Sequence, residues 1–346
     1  MKSHANIPVF IPHLGCPNQC VFCNQRTISG VTEFKAESVR DIIDSALLTL
    51  NGVKEVEIAF FGGSFTGIDR SLMISLLEIA NEYIDSGRVQ SIRCSTRPDY
   101  IDKEIIGILK KYRVNTVELG LQSVSDEVLL LTKRGHGSSD EAHACKLITD
   151  AGISLVGQMM IGLPGSTLET ELETARFIIN AGAKAARIYP TVVFHETELA
   201  EMARAGIYQP IALNEAVERS GAVFEELYSA GVEVIRIGLC SSENLFSDKT
   251  YFTGPNHAAL GELVLGEFFL RRIRKELLSR NISGKTVEIN VAPSSLSKAV
   301  GQKKINKEKL SAEFSSRIIF KGNDELSDYD FFVKVVEAKE RKKRCT

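Results

Sequence analysis

The chain has little net charge to act with. Its 42 Lys and Arg set against 44 Asp and Glu leave a formal charge of −2 over 346 residues. No global field therefore draws it onto nucleic acid, and any basic site must be local. It lacks an apolar run of 18 residues, so no membrane span and no membrane partner are expected. Its start, MKSHANIPVFIPH, lacks the apolar core of a signal peptide, and a cytoplasmic location is expected. The seven cysteines are odd in number and unevenly spaced, which points to free thiols rather than a disulfide framework. There is no fixed-period repeat and no low-complexity linker. What is left, 44% hydrophobic and 25% charged, is the composition of a globular protein with ample length for a core. One large domain or two ordinary ones are expected.

Short apolar runs alternate with amphipathic stretches. IPVFI starts at Ile7, VEIAFF at Val56, VQSIRCS at Val89 and VNTVELGLQ at Val114. ISLVGQMMIG follows at Ile153 and AARIYPTVVF at Ala185. Such β-branched and aliphatic runs suit strands covered on both faces. SLMISLLEIANEYI and LETELETARFIINAG read as intervening helices, the second closed by a glycine. Six βα units in order predict a parallel sheet with helices outside, a partial (β/α)6 barrel, with its chemistry at the C-terminal ends of the strands. The pattern then changes to a long helix over about 214–230, a strand VEVIRIG and a second long helix. The tail reads strand, short helix, GQKK, helix, strand. This sets a core over residues 1–254 and a small α+β C-terminal extension over 255–346.

GCPNQCVFCNQR places Cys16, Cys20 and Cys23 as C-x3-C-x2-C directly after the first strand. Structural zinc takes four protein ligands, often as paired CxxC half-sites, and no second pair is present. A [4Fe–4S] cluster can use three cysteines and leave one iron open. A cluster, a zinc site completed by a distant residue, and a thiol group without metal all remain open on spacing alone.

Other motifs fall at other strand ends, and together they resemble the radical SAM superfamily. In that family three cysteines hold three irons of the cluster and the fourth iron chelates S-adenosylmethionine. An electron then splits the sulfonium and yields a 5′-deoxyadenosyl radical that abstracts a substrate hydrogen. The resemblance implies the following roles. Cys16, Cys20 and Cys23 bind the cluster, and Phe22 shields it. Gly62 and Gly63 of FFGGSFTG let the backbone approach the methionine ammonium. Ser64 stands where relatives carry Glu or Thr, and Ser95 where many carry an acid. Gln122 reaches the ribose, and Arg134 of the KRGH run takes the methionine carboxylate with its fork. Gln158 replaces an Asp that binds the ribose and keeps hydrogen-bonding capacity without charge. Met160 and Ile161 line the adenine, and Tyr189 flanks the adenine or the substrate. Glu196 replaces a small glycine. The plain alternatives are core packing for Met160 and Ile161 and a solvated helix-end charge for Arg134.

The resemblance covers about residues 5–280. FIPHLGCP, GGSFTG, STRPDYI, KRGH and RIYPT are most similar to the Elongator catalytic subunit, with the oxygen-independent coproporphyrinogen oxidases beside it. The chain ends too early for that subunit's acetyltransferase domain. The resemblance implies tRNA or another RNA as substrate and a reducing donor such as flavodoxin or ferredoxin. A small metabolite such as a tetrapyrrole, or a non-catalytic Fe–S module that binds RNA, are the alternatives. VEINVAPSSLSKAVGQKKINKEKLSAEF resembles half of a KH domain, whose G-x-x-G loop clamps backbone nucleotides. Gly301, Gln302, Lys303 and Lys304 fill that loop here. With Lys298, these lysines are candidate phosphate contacts, against the alternative of a solvated face. His195 and His257 are candidate proton carriers, and Cys240 is a candidate hydrogen donor to a radical or an inert thiol.

Overall fold

The computed structural model describes residues 4–11, 14–16, 20–24, 34–239, 247–280 and 282–336. The reading made for Cys240 lies outside them. Strands and helices alternate from the start: β1 (His4–Ile11), α1 (Val39–Leu47), β2 (Glu55–Gly62), α2 (Arg70–Asp85), β3 (Ser91–Thr96) and α3 (Lys103–Lys111). The run continues through β4 (Val114–Gln122), α4 (Asp126–Leu131), α5 (Ser138–Asp150), β5 (Ser154–Ile161), α6 (Leu168–Asn180) and β6 (Ala185–Pro190). Then come β7 (Val193–Phe194), α7 (Glu198–Arg204), α8 (Leu213–Ser229), β8 (Glu233–Ile237) and β9 (Tyr251–Thr253).

The expected six strands pair in sequence order, all parallel, as a curled sheet. A seventh joins them. The VEVIRIG strand pairs in parallel with β6 as β8, so the order is β1-β2-β3-β4-β5-β6-β8. Among the described residues the two edge strands do not pair with each other, and the barrel is partial.

Each strand sorts its side chains by the two-residue pleat. On β1, Ile7, Val9 and Ile11 are buried under the helices. α2 returns Met73, Leu76, Leu77, Ala80 and Tyr83 on one face, and its N-terminus is closed by Asp69, whose Oδ1 accepts from Leu72 N at 3.0 Å. The opposite face of the sheet is polar. Glu57, Arg93, Glu118 and Arg187 from β2, β3, β4 and β6 link there, with Arg93 2.7 Å from Glu57 and 2.8 Å from Glu118. Arg187 meets the same Glu118 at 2.8 Å. Buried charge of this order persists only when paired.

The described residues form two compact units, Met1–Ala216 with Glu226–Asn256, and Val217–Glu225 with His257–Thr346. The division read from the sequence at residue 254 does not separate the middle of α8, which packs with the second unit. A Cβ at Gly221 would lie 2.8 Å from the Glu267 side chain. That unit continues with α9 (Leu260–Leu278), β10 (Thr286–Val291), α10 (Leu296–Val300), α11 (Ile305–Glu313), β11 (Arg317–Gly322) and β12 (Phe331–Val336). β10 and β11 are parallel, as the strand–helix–GQKK–helix–strand reading requires. β12, which the sequence reading missed, adds to β10 antiparallel. Among the described residues no helix is long and apolar enough to cross a membrane.

Candidate active site

The C-terminal ends of β2 to β5 and the loop after β1 open on a cavity of about 580 Å³. Cys16, Cys20 and Cys23 border it together. Their loop is pinned from Cys20 onward. Cys23 N donates to Cys20 O at 3.0 Å, Val21 N donates to Thr132 O at 3.2 Å, and Leu199 N donates to Val21 O at 2.8 Å. Val21 is buried with Val193, Leu199, Ala200 and Tyr208, and Phe22 packs against that cluster. Among the described residues no three His, Cys, Asp or Glu side chains converge on a single metal ion.

The glycines of this wall are there for room. Gly63 N donates to Ile11 O at 2.7 Å and Ser64 N to Leu14 O at 3.1 Å, which stitches the GG turn to the cysteine loop. A Cβ on Gly63 would lie 2.1 Å from Leu14 O, and one on Gly15 would lie 2.2 Å from Ser64 O. Gly62 holds φ at +111°, a conformation closed to most side chains.

Of the predicted contacts, Gly62, Gly63, Ser95, Gln122, Arg134 and Gln158 line the cavity with the cysteines. Gln122 stands at a break in the β4–β5 register with φ +71°, and its buried Oε1 has no hydrogen-bond partner. Gln158 donates from Nε2 to Glu118 Oε2 at 2.9 Å. Glu118, paired with two arginines, only accepts, so the Gln158 amide nitrogen must face it and the carbonyl oxygen is left for the cavity. Tyr189 sits beside Arg187, whose Nη1 donates to its hydroxyl at 3.5 Å, and is absent from the lining.

Three readings need correction. The Ser64 side chain is 1% exposed. It bonds Thr96 Oγ1 at 2.9 Å and accepts from Arg97 N at 3.1 Å, so it ties β2 to β3 instead of facing the cavity. Met160 and Ile161 cannot line one wall together, because neighbours on a strand point to opposite faces. Ile161 is fully buried, and Met160 is outside the cavity lining. His195 Nδ1 lies 3.2 Å from Arg204, and His257 Nδ1 accepts from Ala259 N at 3.1 Å. Neither histidine borders the cavity.

The structure also adds residues. Arg97, inside STRPDYI, enters the lining together with Thr96, Glu196 and Glu198. An arginine before a proline at a strand's C-terminal end was the available signal. Glu196 holds φ +61° where glycine is unstrained. Arg134 Nη1 lies 3.2 Å from Cys20 Sγ, and Nη2 donates to Gly120 O at 2.5 Å. Burial pushes the Cys16 thiol up, and the Arg97 and Arg134 guanidiniums oppose that push. Cys94 and Cys145, by contrast, are buried away from the cavity and pushed up to about 12, so both stay thiols.

Behind the cavity, Glu141 is fully buried and lies 3.4 Å from His136 Nε2. Burial pushes its carboxyl up from 4.5 to about 7. His136 is raised too, because contacts to Asp99 and Glu141 outweigh its burial. Both raised groups give stability that is full at low pH and lost as pH rises through the folded values. Urea midpoints should therefore fall between pH 6 and pH 8. Glu141→Gln should remove about 1 kcal/mol of that fall, and an equal fall in both proteins would count against the assignment.

A model of the radical SAM superfamily matches residues 10–178, and one of the radical SAM C-terminal domain matches residues 183–268. An uncharacterised protein of Methanocaldococcus jannaschii is 30% identical over 61% of this chain and 68% of its own length. A tRNA uridine(34) acetyltransferase of Methanocaldococcus infernus is 35% identical over 38% of this chain, which spans only a quarter of that enzyme's length. The solved structure of an N-terminally deleted Elp3 from the same archaeon covers 80% of this chain and 64% of its own, with TM-score 0.62 at 23% identity. It shares the fold. The cysteine loop, the GG turn and the polar strand ends of this chain lie within the matched segments, and the chain belongs to the radical SAM superfamily, enzymes that work with a [4Fe–4S] cluster and S-adenosylmethionine.

Proposed function

We propose that this chain cleaves S-adenosylmethionine reductively at a cluster held by Cys16, Cys20 and Cys23 and directs the resulting hydrogen abstraction at tRNA. The observation that carries the proposal is the gathering of three thiols, two guanidiniums and two amide side chains around one cavity. That donor set fits the cofactors. Thiolates suit iron, and the absence of a Cβ at Gly15 and Gly63 lets the cysteine loop lie directly against the GG turn. The unsatisfied Gln122 Oε1 awaits a donor. When bound, the cluster and S-adenosylmethionine supply one-electron cleavage of the sulfonium and a 5′-deoxyadenosyl radical; the electron comes from a donor such as flavodoxin or ferredoxin.

The chain's own residues bind and orient. Gln122 and Gln158 present carbonyl oxygens that accept from a nucleoside's hydroxyls. Glu118 keeps Gln158 turned that way. Arg134 presents positive charge to the methionine carboxylate, and Gly62 and Gly63 expose backbone to its ammonium. The apolar cluster around Val21 and Phe22 keeps water from one flank of the cysteines.

The tRNA reading is supported by the named relative and by the second unit. Gly301 holds φ +79°, and a Cβ there would lie 2.8 Å from Asn306. Asn306 is 3% exposed and donates to Gly266 O at 2.8 Å and Ala299 O at 3.2 Å, which fixes the loop from beneath. Lys303 and Lys304 both take left-handed backbone, at φ 53° and 67°, and both are exposed. Lys298 reaches back to Ser294 O at 3.5 Å. The test is 5′-deoxyadenosine formation by the anaerobically reconstituted, dithionite-reduced protein, with and without bulk tRNA. Product formation stimulated by tRNA is expected; no product from a well-formed cluster under either condition would sink the proposal. Reversing both charges, Lys303→Glu with Lys304→Glu, should weaken tRNA binding uniformly and lower its salt slope by about 2. An unchanged slope would mean a solvated face.

A further inference from the structure

Behind Cys20 lies a buried charge chain that no step above uses. Arg97 is 4% exposed. Its Nε and Nη2 donate to the two carboxylate oxygens of Asp99 at 2.9 and 3.0 Å, and Nη2 also donates to the Arg134 carbonyl. His136 Nδ1 lies 3.2 Å from Arg97 Nη2 and 3.3 Å from Asp99 Oδ1. Glu141 closes the far end at His136 Nε2. With Nε and Nη2 held, the remaining nitrogen, Nη1, points at Cys20 Sγ, 3.6 Å away. Arg134 reaches the same sulfur at 3.2 Å.

Stability alone does not require a charged group at this place. A buried ion pair is commonly no better than apolar side chains of the same volume. Here a charged group is carried to the cavity wall, stiffened on three sides and aimed at one thiol. A cationic N–H on a cluster sulfur stabilises added negative charge, and hydrogen bonds to the sulfurs are among the terms that set a cluster's reduction potential. The low-dielectric setting enlarges the effect.

We propose that Arg97, held by Asp99 and His136, is the residue that raises the reduction potential of the cluster through Cys20, making one-electron reduction by an external donor easier. The cluster gains one electron, no bond breaks, and Arg97 keeps its proton throughout. The inference rests on the cluster reading given above.

The test uses the full chain, anaerobically reconstituted, with iron and sulfide assayed and the midpoint potential read by electron paramagnetic resonance during a dithionite titration. Arg97→Gln should keep its iron and shift the midpoint to lower potential. Arg97→Lys, which retains charge and loses the fork, should fall between Arg97→Gln and wild type. Arg88→Gln, which removes an exposed arginine, should leave the midpoint unchanged. A fully loaded Arg97→Gln protein with the wild-type midpoint overturns the inference. Should that variant fail to load, wild-type protein carrying ¹⁵N-arginine decides: hyperfine coupling of the reduced cluster to an arginine nitrogen that persists in Arg134→Lys is expected, and its absence overturns the inference. Wild-type protein that holds no [4Fe–4S] cluster would instead overturn the function proposed above, and this inference with it.

Discussion

Replacing Cys20 by alanine is expected to abolish 5′-deoxyadenosine formation. Cys20 is the most enclosed of the three thiols, at 7% exposure, and its sulfur lies against both Arg97 and Arg134. On the proposed cluster reading, removing it takes a ligand from one iron and also the sulfur on which two buried guanidiniums converge. The two losses act in the same place, so the cluster should fail to assemble or be lost quickly. Iron content, the visible absorption of the reconstituted protein and chromatographic assay of 5′-deoxyadenosine check this together. Wild-type product from Cys20→Ala would remove the cysteine loop from the chemistry. Cys145→Ala offers the contrast: its thiol is protonated and remote from the cavity, and product formation should survive any loss of stability.

Gly63→Ala should be nearly as damaging, although it touches no ligand directly. One methyl group at this position meets the carbonyl oxygen of Leu14 at 2.1 Å and that of Ile11 at 2.9 Å. Both obstacles are backbone, so no side chain can swing aside. Either the GG turn or the chain leading into the cysteines must move, breaking the bonds from Gly63 N to Ile11 O and from Ser64 N to Leu14 O. Overpacking of this kind costs about 1–3 kcal/mol, and displaced support around a metal site typically costs about 10–100-fold in affinity or activity. The protein should stay folded with diminished iron content. Gly87→Ala is the matching control, because no atom lies within 4 Å of its Cβ position; its φ of +73° brings backbone strain alone. Full cluster loading in Gly63→Ala would show that the cysteine loop does not depend on the turn.

The position of the chemistry is legible in the amino-acid sequence because strands bury themselves by composition. The apolar runs at Ile7, Val56, Val114, Ile153 and Ala185 have little choice but to be strands under helices. Motifs at their C-terminal ends then have to share one rim. This is why Cys16, Gly63, Gln122, Arg134 and Gln158 meet at one cavity although 142 positions separate the first from the last. The tail is readable for a similar reason: glycine followed by lysines between two short helices marks a tight turn, and Gly301 forms one.

The sequence by itself determined the close spacing of the three cysteines, the parallel βα frame, and the glycines that let two loops approach each other, because each is written in residue type and spacing along a few neighbouring positions. Tertiary structure decided the rest. It added β8 as a seventh strand, since edge pairing depends on which backbone arrives there and not on a strand's own composition. It turned Ile161 away from the cavity and Ser64 into a strut, since a side chain's face follows from pleat and register. It brought Arg97 to Cys20 across 77 positions and set Glu118 between two arginines to fix one amide's orientation. Ionic contacts of that reach arise where the curled sheet brings separate strand ends together, and local sequence carries no record of the distance.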